Sequence, residues 1–229
     1  MKFDFPLIID SFPKIALGIG LTLQLLVLAL VIGSSLGLIA ALMRISGNPA
    51  LAWPSFMFSY VLRGTPMLVQ IFLVYYGLSQ FEVVRNSVLW LILREPYWCA
   101  VLALSVNCAA YTSEIFRGGI QAVDNGLHEA GRALGLSPSQ RFLHVTAPIA
   151  FRLALPAYGN EIISLLKGTA LVSLITLSDI TGVARDIVSR TFAPYEIFIS
   201  AALVYLCITW CIQSGMRVLE HRFSRYVRK

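Results

Sequence analysis

Long apolar stretches alternate with short polar ones along the whole chain. Residues 15–43, 96–113 and 197–216 contain no Asp, Glu, Lys or Arg. Each approaches or exceeds the ~20 apolar residues that a helix needs to cross a hydrocarbon core. With two further apolar segments they predict helices over about 15–43, 52–79, 96–117, 153–177 and 196–217. Pro49 and Pro54 punctuate the first turn, and a polar connection runs from Glu82 to Glu95. Asp124-Asn125-Gly126 opens a longer polar insertion ahead of the fourth helix. The first apolar run is too long for a signal-peptide core and lacks a small-residue cleavage site, so it is expected to be retained.

Composition agrees with lipid as the solvent. Hydrophobic residues make up 57% of the 229, charged residues only 13%, and mean hydropathy is +0.75. Soluble domains average about 25% charged residues. The expected fold class is therefore all-α and integral to a membrane, with five transmembrane helices. The net charge of +6 does not point to nucleic acid, because the cations cluster at loop ends and at the C-terminus. With the N-terminus outside, the inner segments carry Arg44, Arg117, Arg132, Arg141, Arg152, Arg217, Arg222, Arg225, Arg228 and Lys229. The outer ones carry Lys2, Lys14, Arg85, Arg94, Arg185 and Arg190. Ten against six favours this orientation, with Arg63 and Lys167 inside helices. Cys99, Cys108, Cys207 and Cys211 lie in apolar runs without a CxxC or a His pair. They are expected to be packing residues, with no metal site and no disulfide framework.

The polar insertion carries its own helix signals. Leu127, Ala130 and Leu134 share a face at i, i+3 and i+7. Gly135 suits a helix stop. Ser137-Pro138-Ser139-Gln140 then has a cap, a Pro at the first helical position and Gln three residues after the cap. Two short helices at an angle are expected, and exposed Leu127, Leu134 and Leu136 call for a docking partner. The pattern Glu129-Ala130-Gly131, Gly135, Val145 and Ala147-Pro148 resembles the EAA loop of bacterial ABC-importer permeases. Gly131, Val145 and Ala147 stand where that family has Ala, Ile and Leu. The resemblance implies that Glu129, Ala130, Gly131, Gly135 and Pro148 belong to a cytoplasmic coupling segment, residues 124–148, that docks on an ATPase. That segment would lie within a type I transmembrane domain over residues 19–219.

Further stretches narrow the resemblance. Arg63-Gly64-Thr65-Pro66 followed by Leu68-Val69-Gln70 is similar to the RGTP signature of polar amino-acid permeases. So are residues 111–120 (YTSEIFRGGI) and 159–169 (GNEIISLLKGT). Residues 174–189, with Asp179-Ile180-Thr181-Gly182-Val183-Ala184, resemble the M subunit of the histidine, octopine and nopaline permeases, as do residues 75–81 and 97–100. The family implies a homologous Q-type permease subunit, an ABC ATPase dimer and a periplasmic solute-binding protein as partners. It also implies a multi-pass place in the bacterial inner membrane, N-terminus periplasmic and C-terminus cytoplasmic. The chain has no Gly-x-x-x-x-Gly-Lys-Ser/Thr loop. It is thus expected to hold no cofactor, ATP being bound by a separate subunit.

Charges inside membrane helices mark candidate sites, because each costs several kcal/mol unless paired or solvated. Glu161 is either a carboxylate of the translocation cavity, attracting a cationic substrate group, or a structural partner of Lys167 or Arg63. Gly159 beside it would let another backbone approach. Arg63 lies before Gly64 and Pro66, where the helix is weakened. It would clamp a substrate carboxylate or tie the bend to the protein. Thr65 joins them as a third cavity candidate. Lys167-Gly168-Thr169 reads as a structural bend, and Glu114 with Arg117 as an i, i+3 pair. The expected function is an importer permease for a basic amino acid or opine, not an enzyme. The alternative is a stand-alone secondary transporter or channel, although five crossings with no inverted repeat suit that poorly. The sequence has no His-rich cluster, intramembrane Asp pair or GxSxG to support an intramembrane enzyme.

Overall fold

A computed structural model describes residues 5–224, and every regular element among them is helical. Helix α1 (Phe5–Ala16) leads into α2 (Ile19–Ile45), then α3 (Pro49–Gly64) and α4 (Met67–Phe72), which is prolonged by a π turn over Leu73–Gly77 and a 3-10 turn over Leu78–Gln80. The single-turn helices α5 (Glu82–Arg85) and α6 (Trp90–Leu93) precede α7 (Pro96–Gln121). After α8 (Asn125–Ala133) and α9 (Pro138–Arg141), α10 (Ala147–Thr169) tightens into a 3-10 turn at Ala170–Ile175. Then come α11 (Ile180–Thr191) and α12 (Pro194–Ser224).

Among the described residues α2, α7 and α12 are long and apolar enough to cross a membrane. Two bent pairs bring the number to five if each is one span. Residues 49–64 and 67–80 meet at 105°, and residues 138–175 and 180–191 at 47°. The single helix expected over 52–79 is therefore two. Pro66 offers no N–H and fixes its own φ, and Thr65 before it is extended at φ −112°, ψ 143°. Besides the single turns α5 and α6, two longer helices were not anticipated. α1 carries Asp10 and Lys14 and is too short to cross, and α11 carries Arg185, Asp186 and Arg190.

Small residues let α2 and α7 approach. A Cβ added at Gly33 would lie 2.6 Å from the Cβ of Cys108. At Gly37 it would collide with the Thr112 hydroxyl and sit 3.0 Å from the Ala109 carbonyl oxygen. Gly33-x-x-x-Gly37 is thus a close-contact face of the kind that joins helices in lipid, where apolar area alone gives no drive to associate. Around it Leu25, Leu26, Leu104, Leu165, Leu166 and Ile175 form the main core. Ser59 and Ser113 join their hydroxyls at 2.8 Å, fixing α3 to α7, and the Ser55 hydroxyl donates to the Ala40 carbonyl of α2 at 2.7 Å.

A second core unites the first and last helices. Ile15 of α1 packs with Ile180 and Ala184 of α11 and with Ile197, Ala201 and Val204 of α12. Its polar pin is Asp179, fully buried. The carboxylate caps α11 by accepting from the Gly182 and Thr181 amides at 2.9 and 3.2 Å, and it accepts from the Tyr205 hydroxyl at 3.0 Å. Thr22 of α2 accepts from the Ile180 amide at 3.3 Å. All four cysteines are free, but only Cys99 and Cys108 are buried. Cys207 and Cys211 are exposed on α12, so they do not pack within this chain as their apolar surroundings had implied.

Candidate functional site

Glu161 lies on α10 with 7% of its surface exposed. Among the described residues it makes neither a hydrogen bond nor an ion pair, though Arg63, Cys108 and Tyr158 are within electrostatic reach. The two structural partners considered for it are otherwise placed. Lys167 is exposed. Arg63 approaches Glu114 of α7 at 3.9 Å, and its guanidinium carbon stands 5.5 Å from the centre of the Tyr111 ring. Glu114 is in turn gripped by Arg117 at 3.0 and 2.6 Å, the expected i, i+3 pair. Arg117 also reaches the Gln121 side chain.

A cavity of about 600 Å³ opens between α2, α7 and α10; Glu161 does not line it. Its wall is mostly apolar, with Leu38, Phe116, Ala150 and Leu155 among the lining residues, and Ser34 and Tyr158 supply hydroxyls. Those hydroxyls are joined at 2.7 Å, and the Tyr158 ring stacks on Phe116 at 5.8 Å. Glu161 follows Tyr158 by three residues on α10, close to one helical turn. An apolar wall with a few convergent polar groups is the usual character of a small-molecule site. Gly159 does not admit a backbone as expected. The Cε of Met216 from α12 lies 3.1 Å from where its Cβ would be, so the space it leaves holds a side chain.

Arg63, Gly64 and Thr65 occupy the elbow between α3 and α4. Arg63 and Thr65 are exposed, with the Arg63 side chain 44% accessible. Lys167-Gly168-Thr169 stands at the point where α10 tightens. A Cβ at Gly168 would lie 2.6 Å from the Met67 sulfur, so the two irregular segments touch. The tightened turn ends at Thr176, whose φ is +71°. That is a left-handed conformation costly for a β-branched residue.

The polar insertion follows its local signals closely. Asp124 caps α8 by accepting from the Gly126 amide at 2.6 Å. Gly135, at φ +74°, ends the helix: its amide donates to the Arg132 carbonyl at 2.9 Å and the Leu136 amide to that of Gly131 at 3.0 Å. This is a Schellman motif. Ser137 and Gln140 form a reciprocal capping box, with Pro138 in the first turn of α9. Gly131 is buried because its missing Cβ leaves room for the Arg141 stem, 3.1 Å away. Glu129, Ala130 and Pro148 are exposed. So are Leu127, Leu134 and Leu143, at 41%, 79% and 63%, whereas Leu136 is half-buried. The insertion thus exposes Leu127, Leu134, Leu143 and the Glu129 carboxylate. It is continuous with α10 through the π turn Phe142–Thr146, and its Phe142 and Ala147 help to line the cavity.

The sequence assigned no role to Ser34 or Tyr158, nor to Gln70 beyond its place after the RGTP stretch. Gln70, only 7% exposed, bonds across the elbow to Leu62 and Thr65 and to Asn107 of α7. A Gln inside an apolar run close after a Pro was the available signal.

The sequence matches the family described as "Binding-protein-dependent transport system inner membrane component" over residues 33–225. It is 46% identical to the nopaline transport system permease protein NocM of Agrobacterium fabrum, covering 98% of this chain and 94% of that one. It is 41% identical to the histidine/lysine/arginine/ornithine transport system permease protein HisM of Escherichia coli, covering 92% and 89%. Among solved structures, an amino acid ABC transporter crystallised with histidines superposes with a TM-score of 0.86 at 37% identity, over 97% of this chain and all of that one. A chain of the MetNI methionine ABC transporter, 17% identical, shares the fold with a TM-score of 0.75 over 97% of this chain and all of that one.

Proposed function

The chain belongs to the inner membrane components of binding-protein-dependent transport systems, and from that premise we propose that it is the permease subunit of an ATP-binding-cassette importer for a basic amino acid or an opine. The observation that carries the reading is Glu161, nearly buried and without a hydrogen bond or ion pair among the described residues, three residues along α10 from Tyr158, which lines a cavity of about 600 Å³. A buried charge kept unpaired within the subunit is costly. A cationic substrate end would compensate it. Arg63 and Thr65, at the elbow, would face the substrate's other groups, with Arg63 suited to a carboxylate.

The ATPase dimer would dock on the exposed face of α8 and α9. Glu129, Ala130 and the neighbouring leucines would contact it, while Gly131 and Gly135 hold the segment's shape. Closure of the dimer on ATP would draw two such segments together, one from this chain and one from a homologous Q-type subunit. The cavity would then open toward a periplasmic solute-binding protein, and hydrolysis would return it inward. No covalent bond of the substrate changes, so the subunit is a transporter component and not an enzyme. ATP would be held by the ATPase alone. The excess of inner cations supports a periplasmic N-terminus and a cytoplasmic C-terminus.

The test is uptake by vesicles containing the intact complex, with labelled arginine competed by lysine, histidine, octopine and nopaline. ATP-dependent uptake, blocked by at least one of these and absent without the ATPase, is expected. Uptake by this chain without an ATPase would point instead to a stand-alone transporter.

A further inference from the structure

We infer that Gln70 is a positioning residue whose side-chain amide stands in for the N–H that Pro66 lacks, and so sets the elbow that holds Arg63. In an unbroken helix the Leu62 carbonyl would accept from the amide of residue 66, and proline has none to give. Nε2 of Gln70 fills that place, donating to the Leu62 carbonyl at 2.7 Å. The same nitrogen lies 2.8 Å from Oγ1 of Thr65 and 3.2 Å from the Thr65 carbonyl. Thr65 closes the circuit by donating from its hydroxyl to the Val61 carbonyl at 3.0 Å. At the other end of the amide, Nδ2 of Asn107 donates to Oε1 of Gln70 at 2.9 Å. Gln70 and Asn107 are each 7% exposed. The Gln70 backbone amide meanwhile begins α4 by donating to the Pro66 carbonyl at 3.2 Å. One residue therefore closes α3, opens α4 and fastens both to α7.

The grip continues along α7. Asn107, Tyr111 and Glu114 are spaced i, i+4 and i+7, one face of a helix. Asn107 holds Gln70, the Tyr111 ring lies near the Arg63 guanidinium, and Glu114 is its nearest acid. The angle between α3 and α4, and with it the direction of Arg63, depends on this stripe meeting the elbow in register. Without the Gln70 amide the Leu62 carbonyl keeps only the longer contact from the Thr65 hydroxyl, at 3.3 Å, and the link from the elbow to Asn107 is lost, so the two helices are freer to change angle.

The test is a double-mutant cycle on the intact transport complex. Gln70→Met keeps length and volume but has no donor. Its uptake should fall by about tenfold, the scale of a lost buried hydrogen bond, at normal complex yield. Added to Arg63→Met it should cause little further loss, because both changes disable the same contact. Independent, multiplying penalties or normal uptake by Gln70→Met would overturn the inference. If Gln70→Met does not assemble, Asn107→Leu takes its place in the cycle, since it removes the orienting donor and leaves Gln70 and Pro66 intact. The same non-additivity is expected of it, and the same two results overturn. The inference rests on Arg63 serving transport. An Arg63→Met variant with normal uptake would sink that proposal along with this one, whereas multiplying penalties with a defective Arg63→Met would sink only this one.

Discussion

Replacing Glu161 with Gln separates a transport role from a structural one. The two side chains match in size, so the packing of α10 against its neighbours is retained. What changes is charge. The carboxylate has no hydrogen bond or ion pair among the described residues, so none is broken within the subunit. Arg63 is not stranded, because Glu114 and the Tyr111 ring remain beside it. Complex yield should therefore equal that of the wild type, since no partner of the carboxylate among the described residues is lost. Uptake of a cationic substrate should fall, because a charge-assisted contact worth about 1.5–3 kcal/mol is gone. That corresponds to a loss of roughly 10- to 150-fold. The assay measures initial uptake rates and complex yield in parallel in the same vesicles, with basal ATP hydrolysis as a control for assembly. Normal uptake at normal yield refutes substrate contact by Glu161. A collapse in yield refutes the argument differently, since it would mean that the carboxylate neutralises a cation within the complex.

Three further outcomes follow from the same geometry. Glu129→Lys reverses the charge on the exposed face of α8 and should leave insertion intact while ATPase association or stimulated hydrolysis drops sharply; unchanged stimulation would detach Glu129 from coupling. Gly37→Ala forces a Cβ against Thr112 and Ala109 and should lower the melting temperature of the purified complex through about 1–3 kcal/mol of overpacking. Gly20→Ala on the same helix meets open space and should not; equal behaviour of the pair would refute the close α2–α7 contact. A reporter active only in the periplasm, fused after Lys229, should stay silent, and a signal would reverse the proposed orientation. Arg225, Arg228 and Lys229, like Lys2 at the other end, lie outside the described residues, so this orientation rests on charge placement.

Local signals carried the parts of this fold that are locally determined. Asp124, Gly135 and the Ser137–Gln140 box each act within a few residues of themselves, and each was readable from its neighbours. Apolar runs likewise announced α2, α7 and α12, because lipid demands length and freedom from charge. Pro66 announced a break but not a turn of 105°, because Asn107, thirty-seven residues beyond Gln70, helps to hold that angle. α1 packs on α12 from the far end of the chain, so no window of sequence contains both partners, whereas α11 adjoins α12 but its Arg185, Asp186 and Arg190 broke the apolar pattern. The candidate site was legible only in part. Glu161 and Arg63 stood out as charges in apolar surroundings, whereas Ser34 and Tyr158 are ordinary residues until α2 and α10 bring them to 2.7 Å. Gly159 was legible as a place needing room, but the occupant, Met216, is supplied by another helix.

The second core has a consequence for biosynthesis. Ile15 of α1 waits for Ile197, Ala201 and Val204 of α12, and the Ser200 hydroxyl donates to the Ile8 carbonyl, 192 positions earlier. At ordinary rates of translation that interval is about 10–40 s. During it, the face of α1 that later contacts α12 has no such partner from its own chain, so the insertion machinery or lipid must shelter it. A ribosome halted before residue 194 would thus leave a subunit whose first helix is made but not yet seated, and the last helix completes the fold as it arrives.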